Sequence, residues 1–127
     1  MTIELNHTII NSADPEGGAR WLAAVLGLDG PRHWGPFWEV KAHNGINLDY
    51  HHADGDIQAQ HYAFLISEDE FDGVFARLDE RGVDHFADPG GHRRGEINRN
   101  DGGRGMYFWS PDGHWMEVIT RPYGSGG

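Results

Sequence analysis

Two histidines and one glutamate lie in strand-like segments where they could together bind a metal ion. His7 and His61 each lie in an apolar segment that leads into a predicted helix, and they are 54 residues apart (61 − 7). The acidic residues Asp14 and Glu68 at the two helix starts keep the same spacing. Glu117 lies in the last strand-like segment. Two imidazoles and one carboxylate leave coordination positions open on a divalent ion, so the sequence predicts a metal site with room for a substrate.

The first half of the chain contains the elements that would position His7. Residues 3–11 are apolar and β-branched, which predicts a strand. The pair Asp14-Pro15 predicts a helix start, and Gly27 predicts its end. Two further strands are predicted at residues 37–41 and 46–50, joined by a turn at Asn44-Gly45.

The second half repeats this order. Residues 59–66 predict a strand, and Ser67 to Glu70 fit the capping box of a helix. Phe71, Val74, Phe75 and Leu78 fall at helical spacing, and Gly82 predicts the helix end. Residues 105–109 and 114–120 predict a hairpin. The sequence therefore predicts a first module over residues 1–55, a second over 56–123 and a flexible tail over 124–127.

A long loop separates the second helix from the final hairpin. The Asn-Gly and Asp-Gly turns of the two halves are 68 residues apart (112 − 44), so 14 extra residues (68 − 54) fall within residues 87–104. This Gly-rich stretch holds four of the ten basic residues: Arg93, Arg94, Arg99 and Arg104. We expect either a lid or anion-recognition element, with Arg99 and Arg104 binding substrate, or a solvated surface loop.

Composition excludes several classes of function. A formal net charge of −10 argues against nucleic acid and anionic membranes as partners. The absence of cysteine excludes disulfides, thiolate nucleophiles and zinc–thiolate sites. No apolar segment approaches the ~18 residues of a membrane span, and the N-terminal residues do not resemble a signal peptide. We expect a cytoplasmic protein with a small-molecule partner.

The repeated unit, both histidines and the segment from Tyr107 through Pro111-Asp112-Gly113 to Glu117 resemble the vicinal oxygen chelate superfamily. That superfamily includes glyoxalase I, bleomycin-resistance proteins, fosfomycin-resistance enzymes and extradiol dioxygenases. The resemblance extends over residues 5–120. It implies an α+β fold of two βαβββ modules whose mixed sheets curve into a cup around a metal.

The resemblance also implies where the metal binds. In the superfamily the ligands come from the first strand of each module and the last strand of the second, which here are His7, His61 and Glu117. Fe(II) is the first choice for such a set, and Mn, Ni or Zn are alternatives. Single-chain members of this length commonly form homodimers, often with sites shared between the two chains.

Four further residues are candidates for contact with the substrate. The resemblance implies that Tyr107 donates a hydrogen bond to a substrate oxygen. Asp49 mirrors Glu117 in the repeat and could be a fourth metal ligand or a general base, or simply a surface aspartate. Asn47 lies on the same strand face. Trp38 is a candidate because it is one of four tryptophans in the predicted strand segments.

Those tryptophans predict an aromatic-lined pocket for a flat ligand, with ordinary core packing as the alternative. They are Trp34, Trp38, Trp109 and Trp115.

The leading hypothesis is a metal-dependent enzyme that chelates neighbouring oxygens of a small aromatic substrate. Dioxygenase-like chemistry comes first, and glyoxalase-like lyase or isomerase chemistry second. A fosfomycin-type transferase is less favoured, because that group carries threonine where Ile9 stands. One alternative is an antibiotic-sequestering protein that binds an aromatic drug in a dimer groove; it fits the acidic charge but does not need three ligands. Another is a metal-binding member without turnover.

Overall fold

A strand, a helix and then further strands follow one another twice in the computed structural model, which describes residues 2–126. The chain divides into two units, Met1–Ile57 and Gln58–Gly127. In the described residues, each unit combines one α-helix with one mixed β-sheet, and the expected α+β class is confirmed. No helix among these residues is long and apolar enough to cross a membrane. The cytoplasmic location stays a prediction.

The first unit is a βαβββ module. Its sheet has the order β1-β4-β3-β2, in which β1 runs parallel to β4 and the other neighbours are antiparallel. The elements are β1 (His7–Ser12), α1 (Pro15–Leu26), β2 (Arg32–Trp34), β3 (Phe37–Lys41) and β4 (Asn47–His52).

Helix α1 begins and ends where the sequence predicts. The Asp14 side chain accepts a hydrogen bond from the Gly17 N–H at 3.1 Å, and proline occupies the first helical position. Gly27 adopts a left-handed conformation with φ of 71°, and the following Leu28 N–H closes the helix on the Ala23 carbonyl. The apolar face of the helix is buried, including Leu22 and Val25.

The second unit has a three-stranded sheet in the order β5-β7-β6, with β5 parallel to β7 and β6 antiparallel to it. Ser67 and Glu70 form the predicted capping box of α2. A single turn of 3-10 helix spans Asn100–Gly102. The other elements are β5 (His61–Leu65), α2 (Glu68–Glu80), β6 (Gly105–Trp109) and β7 (Trp115–Ile119).

The additional strand that the βαβββ order implies between α2 and the final hairpin of the second module is reduced to isolated residue pairs. Phe86 forms single bridges with Arg94 and Tyr107 in place of a longer ladder. Gly91 and Gly95 have φ of 70° and 80°, and such left-handed conformations interrupt an extended strand. The described part of this unit therefore has three strands, where the sequence led us to expect four.

Both first strands begin later than predicted. β1 starts at His7 instead of residue 3, because its partner β4 starts at Asn47 and these two residues are the first pair of the ladder. β5 starts at His61 instead of residue 59, opposite Trp115, for the same reason. Each candidate histidine is therefore the first residue of its strand.

The predicted flexible tail ends at Gly127, which lies outside the described residues. The Gly124 N–H donates a hydrogen bond to Asp101 Oδ1 at 3.0 Å.

Arg104, just before β6, ties this strand to α2. Its guanidinium donates to Glu68 Oε1 at 2.7 Å and to Asp72 Oδ1 at 2.9 Å, and lies 4.4 Å from the centre of the Phe71 ring. Hydrogen bonds with charged partners and cation–π contacts are the stronger kinds of polar contact. Arg104 therefore supports the fold of the second unit.

We expect Arg104→Ala to lower the free energy of unfolding by about 1–2 kcal/mol, because it removes both charge-assisted bonds and the ring contact. Urea unfolding of the full chain measures this difference. Arg99→Ala, at an exposed position of the same loop, is the matched control and should change stability by less than about 0.5 kcal/mol. Equal effects of the two substitutions on the free energy of unfolding would contradict a structural role for Arg104.

Candidate functional site

The parallel pairing of β5 with β7 brings His61 and Glu117 together. The ladder pairs His61 with Trp115 and Ala63 with Glu117, and alternate residues of a strand share one face. His61 and Glu117 therefore project from the same face of adjacent strands. His61 Nε2 lies 3.0 Å from Glu117 Oε1.

The other ring nitrogen of His61 is held by the backbone. Nδ1 lies 2.8 Å from the carbonyl oxygen of Trp115, and a carbonyl can only accept, so Nδ1 carries the hydrogen. Nε2 then faces the Glu117 carboxylate and needs either a proton or a cation between the two groups. A backbone carbonyl that fixes the far nitrogen is also the usual support of a metal-binding histidine.

Glu117 is only 1% exposed, and both of its carboxylate oxygens have partners. Oε1 faces His61, and Oε2 accepts a hydrogen bond from the Tyr123 hydroxyl. The Tyr123 oxygen lies 3.1 Å from that of Tyr107, which stands opposite Glu117 on β6. A buried carboxylate requires such partners.

Burial raises the pKa of both tyrosines. The hydrogen bond to Glu117 raises the pKa of Tyr123 further. Both hydroxyls therefore remain protonated at neutral pH and can donate hydrogen bonds. Tyr123 was not among the residues that the sequence singled out, because it follows the last strand and no spacing motif includes it.

An aromatic cluster lies on the same face as the His61–Glu117 pair. The Trp115 ring stacks on Tyr107 at 5.5 Å and lies 4.1 Å from Trp109. The Trp115 indole nitrogen donates to the Pro89 carbonyl at 3.0 Å, which fixes the ring. Trp109 is 48% exposed, so the cluster presents an aromatic surface to solvent.

The first unit places His7 in a similar setting. His7 is the first residue of β1, and its Nδ1 lies 2.8 Å from the Asn6 side-chain oxygen. The same ring nitrogen is therefore engaged in both candidate histidines. His7 is paired with Asn47 and Ile9 with Asp49, so Asp49 has the register position in this sheet that Glu117 has in the other.

A cavity of about 250 Å³ opens on this face of the first sheet. Trp34 and Phe37 form its aromatic part, with ring centres 6.1 Å apart and an angle of 14° between the planes. Its lining residues are Asn6, His7, Ile9, Trp34, Phe37, Glu39, Asn47 and Asp49.

Trp38 does not line this cavity. Neighbouring strand residues point to opposite faces, so Trp38 lies on the face opposite to Phe37. There it stacks on His33 at 4.4 Å, with the Arg20 guanidinium 5.4 Å from its ring centre. These contacts pack Trp38 within the first unit, and its contact with a substrate stays a prediction.

Asp49 is a buried acid at the wall of the cavity. It is 5% exposed, its Oδ1 has no hydrogen-bond partner, and Glu39 stands opposite it on β3. Burial, and then the charge of Glu39, raise the pKa of Asp49. Glu39 is itself held by Arg32 at 2.7 Å. Asp49 can therefore take or give a proton nearer to neutral pH than an exposed aspartate.

The long basic loop is tied to neighbouring acids. Arg93 lies 3.0 Å from Glu96, and Arg94 lies 3.8 Å from Asp84. Arg104 is held by α2, as described above. These ion pairs reduce the charge that the loop offers to an anionic ligand. Arg99, the other predicted substrate contact of the loop, is exposed.

The structure thus brings His61 and Glu117 together within the second unit, while His7 belongs to the first. Within residues 2–126 no three His, Cys, Asp or Glu side chains are grouped closely enough to hold a metal ion. The pair itself fits a metal: it offers one imidazole nitrogen and one buried carboxylate oxygen, each oriented by a second contact.

Two solved structures share more than half of this sequence. The chain is 54% identical to "Oxidase ChaP-H2", with all of both chains covered and a TM-score of 0.97. It is 53% identical to "Oxidase ChaP-H1", with 97% of this chain and 99% of that chain covered and a TM-score of 0.95. The fosfomycin resistance protein FosX from Mesorhizobium loti shares the fold at 21% identity, with 96% and 95% covered and a TM-score of 0.71.

Two curated proteins are also similar. Glutathione transferase FosA of Serratia marcescens is 26% identical over 126 residues, which cover 93% of this chain and 81% of that protein. Metallothiol transferase FosB of Shouchella clausii (strain KSM-K16) is 42% identical over 60 residues, which cover 47% of this chain and only 37% of that protein. No protein-family model matches the chain.

The raised pKa of Asp49 predicts a pH-dependent stability. The native state holds the Asp49 proton more tightly than the unfolded state does, so wild-type stability falls as pH rises above the ordinary value of 3.8. Asp49→Asn removes this titration. We expect the variant to gain stability relative to wild type between about pH 4 and pH 8, measured by urea unfolding.

Glu39→Gln tests how much of the raised Asp49 pKa comes from the neighbouring Glu39 charge. It removes the neighbouring charge but leaves Asp49 buried, so it should weaken the pH dependence without abolishing it. Wild-type and Asp49→Asn curves that stay parallel over the whole range would show that Asp49 titrates normally.

Proposed function

The chain belongs to the vicinal oxygen chelate superfamily and is an enzyme of it, and we propose that it is a divalent-metal-dependent oxidoreductase acting on a small aromatic substrate with two neighbouring oxygens. One observation supports oxidation over other chemistry of the superfamily, and a second supports a flat aromatic substrate. The relatives with more than half of the sequence in common are named oxidases. The second unit also presents Trp109 and Trp115 beside the His61–Glu117 pair, a surface suited to stacking on a flat ligand.

The observation that carries this proposal is the 3.0 Å approach of His61 Nε2 to Glu117 Oε1. We propose that His61, Glu117 and His7 hold the metal, with Fe(II) as the first choice and Mn, Ni or Zn as alternatives. When bound, such an ion supplies Lewis-acid polarisation and, for iron, one-electron chemistry with dioxygen. The other groups of the chain bind and orient the substrate and move protons.

Tyr107 and Asp49 are the proposed proton-handling residues. Tyr107 stays protonated and stands opposite Glu117, so its hydroxyl can donate a hydrogen bond to a substrate oxygen. Asp49 has a raised pKa and an unpartnered oxygen in the cavity wall, which suit a general base. Asn47 and Arg99 remain proposed substrate contacts. Arg104 and Trp38 already have partners within the fold, and a substrate contact for either residue stays a prediction.

We further propose a homodimer with shared sites. Two of the proposed ligands lie in the second unit and His7 lies in the first. A second copy can supply the missing His7. Twofold symmetry would then build two identical sites.

A glyoxalase-like lyase is the second candidate. Asp49 has the same register position as Glu117 and offers an unpartnered, buried carboxyl oxygen as a fourth ligand. Oxygen-electrode assays of Fe(II)-loaded protein with catechols, beside assays with α-ketoaldehyde adducts, separate the two chemistries. An antibiotic-sequestering protein without turnover is disfavoured, because the relatives are named as enzymes.

Removal of a ligand should abolish metal binding without unfolding the protein. We expect about one transition metal per chain in protein purified without chelator, and loss of at least about 90% of it in His61→Ala and in Glu117→Ala. Elemental analysis measures the metal, and circular dichroism checks the fold. His52→Ala, at an exposed histidine that pairs with Asp54, is the matched control and should keep the metal. Stoichiometric metal in either ligand variant would disprove this site.

Mixing two ligand variants tests the shared site. His7→Ala and Glu117→Ala should each bind no metal alone. After unfolding and refolding together, mixed dimers should regain one intact site, because one chain supplies His7 and the other supplies His61 and Glu117. Metal analysis of the purified mixed dimer reports this directly. A mixed dimer without metal, beside a wild-type dimer with two, would show that each site uses one chain.

A further inference from the structure

The C-terminal strap, defined as residues 121–126, reaches back to the Glu117 carboxylate. Tyr123 is 59% exposed, yet its hydroxyl donates to Oε2 of a glutamate that is 1% exposed. This hydrogen bond ties a partly exposed residue of the strap to a buried carboxylate.

The strap is fastened at a separate point. Asp101 Oδ1 accepts hydrogen bonds from the backbone N–H groups of Gly124 at 3.0 Å and Gly126 at 3.5 Å. Asp101 itself adopts a left-handed conformation with φ of 57°, which is uncommon for a residue other than glycine. Arg121 adds a bond to the Ser125 carbonyl at 3.3 Å. The two bonds to Asp101 hold the strap on the C-terminal side of Tyr123, and the Arg121 bond closes the strap on itself.

We propose that Tyr123 is a positioning residue, which occupies Oε2 of Glu117 and leaves Oε1 alone to bind the metal. This inference rests on the proposed metal centre. A carboxylate can bind an ion through one or both oxygens. With Oε2 held, Glu117 takes one coordination position, and the positions needed by two neighbouring substrate oxygens stay open.

The test uses Co(II), whose visible absorption reports coordination geometry. In Tyr123→Phe the ring remains but Oε2 loses its donor, so Glu117 is less well oriented and is free to bind through both oxygens. We expect the dissociation constant for Co(II) to rise about tenfold, as for other residues that orient metal ligands. The Co(II) absorption spectrum should change as well, while the circular dichroism spectrum of the metal-free variant checks that it remains folded.

Two further variants make the result specific. Tyr62→Phe changes the tyrosine next to His61 on the opposite face of β5, where it packs edge-on against His114, and should leave Co(II) binding unchanged. Asp101→Ala keeps the Tyr123 hydroxyl but unfastens the strap, and should weaken Co(II) binding in the same direction as Tyr123→Phe. Wild-type binding in Asp101→Ala beside weakened binding in Tyr123→Phe would remove the strap from the proposal and keep the tyrosine.

The outcomes separate this inference from the proposed function. Wild-type protein that binds one Co(II) per chain, with a Tyr123→Phe variant of identical affinity and spectrum, would overturn the role of Tyr123 and leave the metal centre intact. Wild-type protein that binds no Co(II) would overturn both.

Discussion

The buried carboxylate of Glu117 is the constraint on which the second unit depends. A charge that is 1% exposed is tolerated only with partners on both oxygens; two separate elements supply these partners, and a third contacts one of them. β5 provides His61, the strap provides Tyr123, and β6 places Tyr107 against that tyrosine. The parallel register of β5 and β7 is thus fixed by polar contacts on one face as well as by apolar burial on the other, where Met116 and Val118 are fully buried.

The two sheets place an acid at the same register position in different surroundings. The first strand of each sheet begins with a histidine. The residue two positions after that histidine is paired with an acid on the neighbouring strand: Asp49 in the first sheet and Glu117 in the second. The third strand decides the environment of that acid. Opposite Glu117 stands Tyr107, a hydrogen-bond donor, whereas opposite Asp49 stands Glu39, a like charge. One acid is therefore placed among donors, as suits a metal ligand, and the other has its pKa raised, as suits proton transfer.

The sequence predicts the parts of this arrangement that depend on local spacing. Asp14, Gly27 and the capping box at Ser67 define helix ends through contacts within a few residues, and the turn dipeptides correctly matched Asp49 with Glu117. Contacts between distant segments are different. Nothing in the spacing of Arg104 indicates that α2 holds it, and the face of Trp38 depends on a strand register that short apolar runs leave open. The Tyr123 contact depends on Asp101, which lies 22 residues away in the chain (123 − 101).

Asp49, in the cavity wall of the first unit, lowers the stability of the fold, so its presence is not explained by stability. An acid buried beside another acid, with one oxygen unpartnered, lowers the free energy of unfolding at neutral pH, and an apolar residue at position 49 would avoid that cost. Polar groups that oppose stability in this way are concentrated where a ligand can satisfy them. Trp34 and Phe37 stand beside this acid in the cavity wall, so one cavity of the first unit combines an aromatic surface with a destabilising buried acid.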